Sequence, residues 1–336
     1  MAGADVNART AHLGETALGM AAERLYVGAS QLLLYAGADA NAARAFDGRT
    51  PLHAVLALHA GAGASAQAVK MVRLLLKHGA DAKARLPSSD APCLHVAVAA
   101  NTQQTESYGH GDTRTAKGKC VRAGRANEHD LEIVRRVLKA SKDTAIAANG
   151  RGEQPLHLVA GSDTRRSQKL AKIFLDLGAD PNAYAKDGTQ PLHRACANGC
   201  MAIIKMLFDK AADPRGRAGG ANKELVGRDG RTPMHFAALS GHKDSPEIVQ
   251  MLVKQGADLT DEDDYRNTAQ TATQLAIKND PNLQPGASQA WKRAAIQGCI
   301  KVFQGRNDEI AAAERMMQRR IAEQAKADAA AKRDWE

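Results

Sequence analysis

The stretch DGRTPMHFAALSGH at 229–242, followed by EIVQMLVKQGAD at 247–258, returns in weaker copies along the chain. A period of this kind constrains the architecture more than any other feature does. A unit this short cannot bury its own apolar face, so a core arises only where copies stack. One register of the repeat runs through Thr50-Pro51-Leu52-His53, Pro92-Cys93-Leu94-His95, Gln154-Pro155-Leu156-His157, Gln190-Pro191-Leu192-His193 and Thr232-Pro233-Met234-His235. A second is Gly-Ala-Asp, at Gly3-Ala4-Asp5, Gly37-Ala38-Asp39, Gly79-Ala80-Asp81, Gly178-Ala179-Asp180 and Gly256-Ala257-Asp258, with Ala211-Ala212-Asp213 and Ser141-Lys142-Asp143 as altered copies.

Elementary chemistry assigns each landmark a place. A proline in the first turn of a helix loses no hydrogen bond, and a threonine before it can cap that end, so the histidine register opens a first helix. In KMVRLLLKHG at 70–79, EIVRRVLKAS at 132–141 and EIVQMLVKQG at 247–256, apolar residues recur at three- and four-residue spacing, which predicts a second helix with one buried stripe. The glycine that follows suits a left-handed helix end. The Asn-, Asp- and Gly-rich residues up to the next histidine register are too few for a helix and predict a protruding turn, or finger.

These motifs resemble the ankyrin repeat, a unit of about 33 residues with a T-P-L-H core. The resemblance implies an all-α solenoid of helix-turn-helix units with β-turn or hairpin fingers, to which this sequence adds a C-terminal helix. It also implies that His53, His95, His157, His193 and His235 are structural, bonding the finger to the helix start, with no catalytic role. Such proteins bind other proteins through fingers and first helices on a concave face.

The expected organisation is an orphan finger at 1–13, repeats at 14–46, 47–88, 89–150, 151–186, 187–228 and 229–264, a degenerate capping repeat at 265–304, and a charged, Ala-rich helix at 305–336 opening at an Asn307 cap. From the histidine position to the following Gly-Ala-Asp, the shortest copies span 18 residues; the others exceed this by 3, 3, 8 and 28. The excess falls between first and second helix, which places the extra loops on the edge away from the fingers. The longest is an insertion at about 101–128, and a separate finger expansion lies at 214–226. Trp291 and Phe303 are expected to seal the last interface. The stripe Ile310, Ala313, Met317, Ile321 and Ala325 on the terminal helix is narrow and diluted by alanine, so no coiled-coil seam is legible and a monomer is expected.

Only 4% of residues are aromatic against 44% hydrophobic, so closely packed Ala, Leu, Val and Ile must build the core. Five cysteines, Cys93, Cys120, Cys196, Cys200 and Cys299, make a poor disulfide framework and point to reduced thiols and an intracellular, cytoplasmic setting, a secreted effector being the alternative. His193, Cys196 and Cys200 share a helical face, but a closed zinc site needs a fourth ligand, so neither metal nor cofactor is expected. No P-loop, nucleophile-elbow or zinc-protease motif is present, and no enzyme activity is expected.

A formal charge of +9 favours encounters with acidic partners. Candidate contact residues at variable finger and helix-start positions are Arg44, Phe46, Arg49, Arg85, Arg151, Tyr184, Lys186, Arg228, Arg231, Tyr265 and Arg266. These predict a partner protein with an acidic surface. The 101–128 insertion carries Arg114, Lys117, Lys119, Arg122 and Arg125, a second basic surface that could take nucleic acid or another anionic surface. With only Tyr108 near it, stacking on bases has little support. The balanced charge of the terminal helix argues against membrane binding.

Overall fold

A computed structural model describes residues 4–59, 65–99, 128–210, 229–279 and 290–333. The described residues form seven helical pairs: α1 (Ala17–Glu23) with α2 (Val27–Tyr35), α3 (Pro51–His59) with α4 (Ala66–Lys77), α5 (Cys93–Ala99) with α6 (Glu128–Ala140), α7 (Pro155–Ala160) with α8 (Arg165–Asp176), α9 (Pro191–Ala197) with α10 (Met201–Asp209), α11 (Pro233–Ser240) with α12 (Ser245–Lys254), and α13 (Ala269–Asn279) with α14 (Ala290–Arg333). First helices stack on first helices from α1 through α13. Among the second helices, α2 lies on α4, α4 on α6, α8 on α10 and α12 on α14.

The core is the strip between the two layers. Leu52, Leu94, Leu156, Leu192 and Met234, all from the histidine register, are buried in it beside Leu75, Phe174, Ile204 and Leu252 of the second helices. Small residues such as Ala97, Ala171, Ala195 and Ala237 let the backbones approach closely. Where described, the glycines that close the second helices take left-handed geometry, with φ of 89° at Gly37 and 91° at Gly256. At Ser141 the chain instead stays extended and enters a 3-10 turn at Lys142–Ala145.

The histidines join one unit to the next. The Nδ1 atoms of His157, His193 and His235 accept the backbone N–H three residues earlier, at 3.2, 3.1 and 3.2 Å. The proton therefore sits on Nε2, which donates to a carbonyl of the following finger: Ala183 at 3.0 Å, Arg231 at 3.2 Å and Asn267 at 2.9 Å respectively. His95 bonds Glu153 O in the same way at 2.7 Å, but its buried Nδ1 has no partner among the described residues, because the residue three before it is Pro92, which has no N–H. Pro92→Thr is expected to stabilise the fold by about 0.5–1 kcal/mol: the new donor and cap contribute about 1–2 kcal/mol and the lost proline rigidity costs up to about 1. An unchanged or lowered urea midpoint would refute it.

A second tie, not legible beforehand, is an asparagine ladder. Asn7 and Asn41 each donate Nδ2–H to the glycine carbonyl of the next Gly-Ala-Asp (Gly37 at 3.3 Å, Gly79 at 2.9 Å) and accept the N–H of its aspartate (Asp39 at 2.8 Å, Asp81 at 2.7 Å). Where Lys83 replaces the asparagine, its ammonium reaches Asp143 at 2.8 Å, so the altered copy Ser141-Lys142-Asp143 is held by charge. The ladder attaches the orphan finger to the first helical pair.

At the C-terminal end the structure departs from the expected break. Helix α14 is continuous over 44 residues, so Asn307 is not a cap but an interior residue. Its side chain donates to Gln270 Oε1 at 3.0 Å, tying α14 to α13. Phe303 is buried as expected, while the side chain of Trp291 lies outside the described residues. No described helix is long and apolar enough to cross a membrane.

Candidate binding face

The fingers are built alike. Each folds back at a residue with positive φ, a glycine at Gly48 (71°) and Gly188 (66°) but Asp90 (48°) and Arg266 (58°) in the third and seventh fingers. Short ladders close them: Arg85–Leu86 pairs antiparallel with Ala91–Pro92, and Arg44 N–H donates to Arg49 O at 2.8 Å. Adjacent fingers touch, since Phe46 N–H donates to Leu13 O and Lys186 N–H to Arg151 O at 2.8 Å.

Most of the arginines expected to face a partner are held by carboxylates of the same surface. Arg44 pairs with Glu15 at 2.6 Å and with Asp47; Arg49 reaches Asp47 at 3.2 Å. Bonding to Asp47 and Glu15 outweighs burial and raises the Arg44 pKa, and the guanidinium holds Asp47 low against its own burial. Arg85 pairs with Asp90 at 2.6 Å, and Arg231 with Asp229 at 3.3 Å and the buried Asp263 at 3.9 Å. These cations brace fingers and spend much of their field internally.

The aromatic candidates stand differently. Phe46 and Tyr265 are each 67% exposed and Tyr184 is 49% exposed, all three on fingers. The Tyr265 hydroxyl donates to Asp229 at 3.3 Å, leaving the ring face open. Lys186 and Arg266 are exposed beside them, and Arg151 is exposed with its N–H held by Asn149. Arg228 and the insertion residues Arg114, Lys117, Lys119, Arg122 and Arg125 lie outside the described residues. Behind the fingers the first helices leave two open depressions, one lined by Glu15, Gly19, Glu23, Arg49 and Ala54, the other, of about 360 Å³, by Arg231, Asp263, Asn267, Leu275 and Asn279.

A buried pair that the sequence did not reveal joins fingers to helices. Glu153 accepts Arg194 at 2.5 Å and Asn149 Nδ2–H at 2.9 Å, and Arg194 also reaches Asp187 at 3.6 Å. Burial works to raise the Glu153 pKa, but Arg194 and Asn149 keep it below the ordinary value. Its signal was faint: a lone glutamate where other fingers carry Arg49, Thr189 or Arg231.

The residues weighed for metal binding are occupied by packing. Both ring nitrogens of His193 are in hydrogen bonds. Cys196 and Cys200 are buried, and burial pushes both thiols up, Cys200 to about 12. Among the described residues no three His, Cys, Asp or Glu side chains are placed to hold a metal ion. Burial also holds His53, His95 and His157 neutral, with pKa lowered to about 4 in each.

Comparison with known proteins agrees with this geometry. Residues 47–85 match a family model described as ankyrin repeat, 121–218 one described as ankyrin repeats (3 copies) and 192–253 one described as ankyrin repeats (many copies). The chain is 29% identical over 245 residues to ankyrin repeat and SOCS box protein 16 of Homo sapiens, covering 73% of this chain and 44% of that protein. It is 31% identical over 130 residues to NF-kappa-B inhibitor alpha of Sus scrofa, covering 38% of each. The chain thus spans less than half the length of these curated relatives.

Proposed function

Because the chain belongs to the ankyrin-repeat family, whose repeats are generally protein-binding modules, we propose that it is a scaffold that acts by holding a partner protein against its fingers and first helices. The exposure of Phe46, Tyr184 and Tyr265 carries this reading. Rigid aromatic side chains on braced supports give large contact area at little entropic cost and are the residues that dominate protein interfaces. Lys186 and Arg266 beside them favour carboxylates at the rim of the partner, while the self-paired arginines keep the fingers in register. A relative named as an inhibitor of NF-kappa-B is consistent with action by binding. The free, buried thiols Cys93, Cys196, Cys200 and Cys299 favour a reducing, intracellular setting.

The test is quantitative capture from a cell lysate with the intact chain, with Phe46→Ser, Tyr184→Ser and Tyr265→Ser combined, and with 101–128 deleted. Specific protein partners are expected to fall at least about tenfold in the triple variant, equivalent to about 1.4 kcal/mol, and to persist in the deletion. Retention by the triple variant together with loss on deletion would move the site to the insertion and overturn the proposal.

A further inference from the structure

The two helical layers divide the charge unequally. Within the first helices α3, α5, α7 and α9, Arg194 is the one Asp, Glu, Lys or Arg, and Glu153 holds it. The second helices α4, α6, α8 and α10 carry eleven basic and five acidic residues, a net +6 of the +9 on the whole chain. Of those five carboxylates, Asp130 is buried, Glu132 is paired with Arg136 at 2.7 Å and Asp176 with Lys210 at 3.5 Å. What remains uncompensated is a row. Six residues before each Gly-Ala-Asp turn or its altered copy stand Arg73, Arg135, Lys172 and Lys205, one on each helix and all exposed. No ion pair among the described residues engages any of the four. The same register holds Gln31 on α2 and Gln250 on α12, so neutral residues bound the row on both sides.

Solubility alone does not call for this pattern. Like charges stand one helical turn apart at Lys70 and Arg73, Arg73 and Lys77, Arg135 and Lys139, and Lys169 and Lys172, and such pairs destabilise a helix. Interspersed signs would keep the surface soluble without that loss. We propose that this strip is a docking surface for the phosphate backbone of a nucleic-acid duplex, separate from the finger face. Its shape selects a linear polyanion. From Lys70 to Lys77 it spans about 10 Å along the helix, and across the four helices roughly 30 Å, close to the ~34 Å turn of a duplex. Among the described residues, α4, α6, α8 and α10 expose no large apolar side chain, so nothing on the strip inserts into a membrane. For the same reason there is no exposed ring on which unpaired bases could stack, which disfavours a single strand. Long cationic side chains at regular intervals suit phosphates, which position a duplex without reading its sequence.

Fluorescence anisotropy of the full chain with a labelled DNA duplex of random sequence, over about 50 to 200 mM salt, tests this. Micromolar binding is expected at the lowest salt, weakening about 100-fold across the series, because each neutralised phosphate adds about 0.9 to the log–log slope. Arg73→Gln, Arg135→Gln, Lys172→Gln and Lys205→Gln combined are expected to cut affinity at least about 30-fold and to flatten the slope by about 3. Their melting temperature is expected to stay level or rise, since like-charge neighbours are removed. An RNA duplex of equal length is expected to bind within about tenfold of the DNA, because only phosphates are touched. Absence of duplex binding at the lowest salt overturns the proposal, as does a larger preference for either sugar. So does affinity that survives the four substitutions but is lost on deleting 101–128, which would move the contact to the insertion. Tighter binding to phosphatidylserine vesicles than to the duplex would assign the strip to a membrane instead and overturn it as well.

Discussion

Lowering the pH from 6.5 to 4.5 is expected to strip several kcal/mol from the stability of this array, most of it through its buried histidines. His53, His95 and His157 are neutral in the folded chain because burial opposes the imidazolium, and each pKa is lowered from 6.5 to about 4. His235 is lowered by burial as well. The unfolded chain takes up protons near 6.5 that the folded chain refuses until about 4. Stability is therefore complete above pH 6.5 and falls as the pH drops through that window. By pH 4.5 each of the three costs about 2 kcal/mol. The ionised Asp47 and Glu153, whose folded pKa values are lowered, add their loss as the pH falls through their ordinary values of 3.8 and 4.5 and below. Melting temperatures by circular dichroism at constant ionic strength separate the two classes of group. A curve flat to pH 4.5 that breaks only below 4 would show that the histidines are not the cause.

Arg194→Ala is expected to destabilise the chain by about 2–3 kcal/mol, a large effect for a residue outside the core. Its guanidinium is the nearest cation to Glu153, whose side chain is only 5% exposed. Removing it leaves a carboxylate that burial penalises, with Asn149 and the field of Arg151 as partial compensation. Breaking a buried pair from one side typically costs 3–5 kcal/mol, and that remaining support sets the lower figure. Adding Glu153→Gln to Arg194→Ala is expected to recover about 1–2 kcal/mol, since a neutral amide still bonds Asn149. Urea denaturation of the two single variants and the double variant measures the coupling. Additive losses would mean that the two side chains do not act as a pair.

Much of the fold was legible because its period is dictated by local chemistry. Proline at a helix start, glycine at a helix end and an apolar stripe at helical spacing are recognisable without knowing what they touch. The histidine register was legible as the start of each first helix, and the seventh pair through the faded stretch around Thr271–Ala276. The boundary at Asn307 misled because Asn-Asp-Glu is a sound local helix start; the preceding turn is equally helical, and Gln270 receives the asparagine side chain from another helix. The surroundings of the candidate face were less legible than its residue types. Residue type marked Phe46, Tyr184 and Tyr265 as unusual, but the same reasoning treated Arg44, Arg49, Arg85 and Arg231 as open cations, and their partners sit on neighbouring turns or neighbouring fingers.

By itself, then, the sequence determined that this chain is a stack of helical pairs with fingers and that its core must be small and aliphatic, since both depend on patterns within a few residues. Only the tertiary structure decided which finger carbonyl each histidine reaches, which Gly-Ala-Asp turn each ladder asparagine holds, and that Glu153 is buried against Arg194. Those are relations between residues about 30–60 positions apart, brought together by stacking, and no local pattern records them.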